Sequence, residues 1–100
     1  MESPALAAEL ALLHRNQAAG RVRDSYMLVW NKARRIAPGD FPGTVAAYRA
    51  SGLEEAAEAL VRTVAVERDV HAVLNIVAAL HDSRQYTDAQ AVLTAARTDL

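Results

Sequence analysis

The sequence predicts an all-α domain of three antiparallel helical hairpins, six helices stacked as a short right-handed α-solenoid, and three observations lead there. The chain matches itself twice at an offset of 32 residues: Ser25, Ala57 and Ala89 align, as do Leu28, Leu60 and Val92, then Val29, Val61 and Leu93. In the first half of the unit Leu13, Val45 and Val77 share a register, and Gly20 and Gly52 align with Arg84. A period of this size, read as two helices around a turn, marks a helical-hairpin repeat. About a fifth of the residues are alanine, 5% are aromatic, and β-branched residues do not alternate with polar ones, so helix is favoured throughout. One hundred residues, 52% hydrophobic, suffice for one core, so 1–100 is a single domain with hairpins at about 3–36, 40–67 and 69–98.

Each helix has its own signals. Ser3 before Pro4 starts the first, which carries Leu6, Leu10 and Leu13 on one face; Asn16 to Gly20 is its turn. From Val22 or Asp24 the spacing of Val22, Tyr26, Val29, Trp30 and Ala33 gives the buried stripe of the second, which ends before Ala37-Pro38-Gly39-Asp40. Asp40-Phe41-Pro42 repeats the cap-and-proline logic for a short third helix to Ala50, with Val45 and Tyr48 inward and Ser51-Gly52 closing it. Such a short helix is stable only when packed. Leu53 to Glu67 forms the fourth, with Leu60, Val61 and Val64 inward and Glu54, Glu55 and Glu58 at the positive end of its dipole. Asp69 caps the fifth, whose stripe is Val73, Ile76, Val77 and Leu80, and Thr87-Asp88-Ala89-Gln90 reads as a capping box for the sixth. Ala57 and Ala89 let antiparallel helices approach closely.

Bulk properties narrow the function. The chain has no cysteine, hence no disulfide framework and no thiol chemistry. No apolar run reaches the roughly 18 residues of a membrane span, and Glu2 and Glu9 stand where a signal peptide is basic, so a cytoplasmic protein without membrane contact is expected. Abundant Ala, Arg and Val beside the single Lys32 suits a GC-rich bacterial coding sequence. Net charge is −1, but residues 1–36 carry six Arg/Lys against three acids and residues 37–100 five against nine. Such asymmetry lets a partner or a second copy dock through complementary potentials.

The pattern of a glycine turn, a small residue five positions on and a large apolar residue four further on resembles the tetratricopeptide repeat. Tyr48, Gly52, Ala57 and Val61 stand where that family places its first-helix aromatic, turn glycine, small contact residue and second-helix large residue. Leu80, Arg84, Ala89 and Leu93 correspond in the third unit, with the glycine lost, and Trp30, Ala33 and Pro38 look like the family's aromatic, alanine and terminating proline. The period is 32, against about 34 in that family, and the family's opening tryptophan and leucine-glycine pair are missing. The resemblance, over nearly the whole chain, implies a scaffold or adaptor that holds a peptide or helix in a groove lined by the first helix of each hairpin. By that analogy Arg15, Gln17, Tyr48 and Arg49 line the groove. The same length and helix count also suit a compact six-helix bundle of the death-fold type, in which first and last helices pack together.

Chemistry-bearing patterns are few. His14, His71 and His81 form no i, i+4 pair; His71 and His81 are about 80° out of phase on a helix, and no Cys or acidic cluster completes a metal shell. No nucleophile triad, phosphate loop or paired carboxylates occur, so neither an enzyme nor a cofactor or small-molecule site is expected. Arg15, Arg21, Arg23, Lys32, Arg34 and Arg35 cluster around one hairpin as the one charge feature: a solvated face, a docking patch for an acidic protein or a second copy, or a nucleic-acid contact. Against nucleic acid, Tyr26 and Trp30 fall on the expected buried stripe and so are not free to stack on bases. The expectation is a non-catalytic protein-interaction module that binds another protein or itself, with a nucleic-acid-binding helical domain using the basic first hairpin as the alternative.

Overall fold

The 32-residue period is written into the backbone. The computed structural model describes residues 4–98, and six α-helices run through them: α1 (Pro4–Ala18), α2 (Val22–Arg35), α3 (Phe41–Ala50), α4 (Glu54–Glu67), α5 (Val70–Asp82) and α6 (Tyr86–Thr98), with a 3-10 turn at Pro38–Asp40. Every regular element among the described residues is helical. α1, α3 and α5 end at Ala18, Ala50 and Asp82, and α2, α4 and α6 begin at Val22, Glu54 and Tyr86, each 32 residues after the last.

The three hairpin turns are chemically one turn. Gly20, Gly52 and Arg84 have φ of +70°, +77° and +60°, the left-handed conformation in which a helix closes as a Schellman motif. In each, the next residue's N–H donates back to the carbonyl five positions earlier: Arg21 to Asn16 (2.8 Å), Leu53 to Tyr48 (2.9 Å) and Gln85 to Leu80 (2.8 Å). That same residue's carbonyl then accepts the first bond of the following helix, from Ser25, Ala57 and Ala89. One residue thus ends one helix and begins the next. No side-chain cap is needed, and Arg21 and Leu53 provide none.

Packing follows the apolar stripes. α4 is central, lying against α2, α3 and α6, while α1 packs on α2, α5 on α6, and α3 on α5. Val45 and Tyr48 of α3, Ala57, Leu60 and Val64 of α4 and Ile76 and Leu80 of α5 are fully buried. The radius of gyration is 12.9 Å, the value of a compact chain of this length, about 13 Å. At the C-terminal end of α4, Arg68 turns across to α2, where its Nη1 donates to the carbonyls of Ile36 (2.7 Å) and Ala33 (3.1 Å). A cation thereby meets carbonyls that have no partner within their own helix.

Some local expectations hold and others change. Asp69 caps α5, its carboxylate accepting from the Ala72 N–H at 2.8 Å. Asp40 makes no such bond: the 3-10 turn feeds straight into α3 and leaves it helical (φ −88°, ψ −13°), not in the extended conformation a capping side chain needs. Thr87 to Gln90 is no capping box, because α6 has already begun at Tyr86 and Asp88 turns inward to Arg49. Ser3, expected to cap α1, lies outside the described residues.

Candidate interaction surface

The first hairpin's six cations do not form one patch. Arg15, Arg21 and Arg23 surround the α1–α2 turn, whereas Lys32, Arg34 and Arg35 occupy the last turn of α2, about 16 Å away along the helix at 1.5 Å per residue. The second group has local partners. Lys32 Nζ lies 3.5 Å from Glu9 Oε2 on α1, the Arg34 guanidinium sits 4.6 Å from the Trp30 ring centroid, and all three cations face the negative end of the α2 dipole. Arg15, Arg21, Arg23 and Arg35 are exposed and make no ion pair among the described residues.

Tyr48 is buried and Arg49, half-buried, is engaged by carboxylates of its own chain. Tyr48 is 0% exposed and has no surface to offer a partner. Its hydroxyl lies near the Glu9 carboxylate without hydrogen-bond alignment, and burial first, then the negative charge of Glu9, push the phenol far above its ordinary range. Arg49 binds two carboxylates, Asp88 Oδ2 at 2.5 Å through Nη1 and Glu54 Oε1 at 3.0 Å through Nε, which raise its affinity for a proton further. Of the groove residues expected from the resemblance, Arg15 and Gln17 remain exposed.

The aromatic surface lies on the second helices. Tyr26 is 59% exposed and Trp30 half-buried, against the expectation that both belong to the core. The expected stripe is wider than the face α4 covers. Val29 and Ala33 point into the core, whereas Tyr26 and Trp30 sit on the adjacent ridge, roughly 60° around the helix. Across from that ridge α4 presents small residues, Ala56, Ala59 and Thr63, with Val66 exposed beyond them. The result is a trough between two parallel ridges. Val22, Tyr26 and Trp30 form one wall, Ala56 and Ala59 the floor, and Arg62 the rim. Glu54 and Glu55, in the first turn of α4, stand at its mouth, and past Arg62 a second hollow runs on to Tyr86 and Gln90 of α6.

Sequence reasoning missed Arg62, Arg68, Glu9 and Asp88. Arg62 had a usable signal, since it occupies the register of Trp30 one period on. Asp88 had none, because its partner comes from another hairpin. Among the described residues no group of three or more His, Cys, Asp or Glu is placed to hold a metal ion, and no helix is long and apolar enough to cross a membrane. No family model, curated protein or solved structure matches this chain.

Proposed function

We propose that this chain is a non-catalytic protein-interaction module, a tetratricopeptide-like stack of three hairpins whose α2–α4 trough holds an apolar segment of a partner protein next to a basic residue. The observation that carries the reading is the ridge of exposed Tyr26 and half-buried Trp30 facing a floor of Ala56 and Ala59. Aromatic side chains with open apolar faces are the usual anchors of protein interfaces, and a narrow floor of small residues admits side chains, not a folded domain. Glu55, beside a Glu54 already paired with Arg49, supplies the complement for the basic residue.

Stacking is supported by the three identical turns and by the packing of α2 on α4 and α4 on α6 in series. α1 and α6 are not among the helix pairs that pack together, whereas a death-fold bundle would join them. Such a stack suits a soluble, cytoplasmic adaptor.

Selection from a random peptide library tests the proposal. Peptides enriched on the wild-type chain should share an aromatic or aliphatic pair beside Lys or Arg, and Ala59→Arg, which fills the trough, should abolish their binding with helicity unchanged. Enrichment indifferent to Ala59→Arg overturns it. The exposed Arg15, Arg21 and Arg23 favour the nucleic-acid alternative: generic single-stranded DNA that binds, weakens steeply with salt and is lost on charge reversal of those three would replace the proposal.

A further inference from the structure

Arg62 stands in the middle of the face formed by the second helices. It borders the α2–α4 trough, the space between Trp30 and Val66, and the hollow that runs on to Tyr86 and Gln90. Its side chain is exposed and makes no ion pair among the described residues. Two other arginines of the chain that turn toward a neighbouring hairpin are used: Arg49 holds Asp88 and Glu54, and Arg68 holds the carbonyls of Ala33 and Ile36.

The repeat shows what Arg62 replaces. It takes the register of Trp30 one period on, while Ala91 and Ala95 follow Ala59 and Thr63. The hollow beyond it is thus the trough repeated, with small residues for a floor and a cation where the aromatic stood. A segment laid in either one meets that guanidinium. The rest of the charge α4 exposes is negative. Glu55, Glu58 and Glu67 are exposed on the same helix, Glu54 is held by Arg49, and Glu58, one turn before Arg62, lies beyond ion-pair distance of it. One cation among three carboxylates suits a single carboxylate, whereas a nucleic-acid strand or another polyanion meets more repulsion than attraction.

Spacing sets the order of charges. Glu55 and Arg62 are seven residues apart on one ridge of α4, about 10 Å at 1.5 Å per residue, and an extended chain covers that distance in about three residues. Ala56 and Ala59 of the floor lie between them. We infer that Arg62 selects the second charge of the partner: the segment held in the trough carries Lys or Arg at Glu55, an apolar pair over Ala56 and Ala59, and an aspartate or glutamate on Arg62. The inference rests on reading the trough as a peptide site, and it adds the acid and its distance from the basic residue. A guanidinium pairs with a carboxylate through two parallel hydrogen bonds, so geometry as well as charge favours the acid.

Selection from the random peptide library on wild type, Arg62→Glu and Arg97→Glu tests it. Arg62 and Arg97 are both exposed, so helicity should be unchanged, and the two variants alter net charge equally. Peptides from the wild type and from Arg97→Glu should carry Asp or Glu about three positions from their Lys or Arg, and those from Arg62→Glu should carry a basic residue there instead. By fluorescence anisotropy a synthetic peptide of the wild-type pattern should bind Arg62→Glu at least tenfold more weakly, and its acid-to-lysine counterpart should bind Arg62→Glu better than it binds the wild type. Peptides that are lost on Ala59→Arg yet lack the acid, or keep it when selected on Arg62→Glu, overturn the inference and leave the trough reading standing. Enrichment indifferent to Ala59→Arg, or none at all, overturns both. Oligothymidylate that displaces the peptide, or a doubling of the wild-type mass that the peptide reverses, overturns the inference by seating a polyanion or a second copy in the trough.

Discussion

Arg49 and Asp88 form an ion pair that joins the second hairpin to the third, Nη1 to Oδ2 at 2.5 Å, and burial is unequal between them: the Asp88 side chain is 5% exposed and that of Arg49 34%. The two halves of the pair should therefore not be equivalent to mutation. Removing Arg49 leaves a carboxylate inside the protein with only Gln85, its amide 3.4 Å away, and stranding a buried charge costs about 3 kcal/mol. Removing Asp88 leaves a guanidinium that keeps Glu54 and reaches water, for about 1 kcal/mol. Urea titration of Arg49→Met and Asp88→Ala should show the first clearly more destabilised. Equal losses would mean that Asp88 finds another donor.

Arg84 is where the third turn departs from the first two. It holds φ +60° where Gly20 and Gly52 hold +70° and +77°, and an L-residue with a long side chain in that conformation costs about 1 kcal/mol relative to glycine. Arg84→Gly should raise stability by about that amount, since the side chain makes no hydrogen bond or ion pair in the described structure. Gly52→Ala should lower it by about 1 kcal/mol, through backbone strain alone, because a Cβ there meets no atom within 4 Å. Thermal unfolding of the two variants should shift in opposite directions.

The register that set these three turns side by side was readable in the residues, and so were Leu60, Val64, Ile76 and Leu80 as core, because burial in a hairpin repeat follows period and spacing. Side-chain partnerships across hairpins were not. Asp88 sits three residues from Gln85 in a stretch that also fits a capping box, and only the approach of α3 to α6 gives its carboxylate to Arg49. Tyr26 and Trp30 were misread for a related reason: helical spacing fixes the side of α2 they occupy but not the width of the face α4 covers. The small residues at Ala56 and Ala59 leave them on the surface. The first hairpin's cations read as one cluster in sequence because a helix's length separates residues that a list of positions puts together.

Core positions and the exposed Leu74 of α5 make a paired test of facing. Ala57 and Leu60 are fully buried, and Ala57→Arg or Leu60→Asp places a charge with no partner where side chains are close-packed. Each should cost about 4 kcal/mol or more and abolish the cooperative thermal transition. Leu74→Asp, the same chemistry at an exposed position, should leave the transition in place. Circular dichroism melts of the three decide whether the inward and outward faces are assigned correctly.

The last expectation concerns pH. Burial and the neighbouring Glu9 hold the Tyr48 phenol protonated far beyond the ordinary tyrosine range near pH 10. A group whose affinity for its proton is higher folded than unfolded contributes stability that is complete below the unfolded value and is lost as pH rises above it. The folded chain should therefore become less stable from about pH 10 upward, and ultraviolet absorbance should show the Tyr48 phenol ionising only as the protein unfolds. Tyr48→Phe should remove much of this alkaline loss. At neutral pH it should change stability by less than about 1 kcal/mol, because the hydroxyl it deletes has no well-aligned hydrogen bond and only the nearby Glu9 carboxylate to meet. Ionisation of Tyr48 in the folded state near pH 10 would place it in contact with water and take away the basis for both effects.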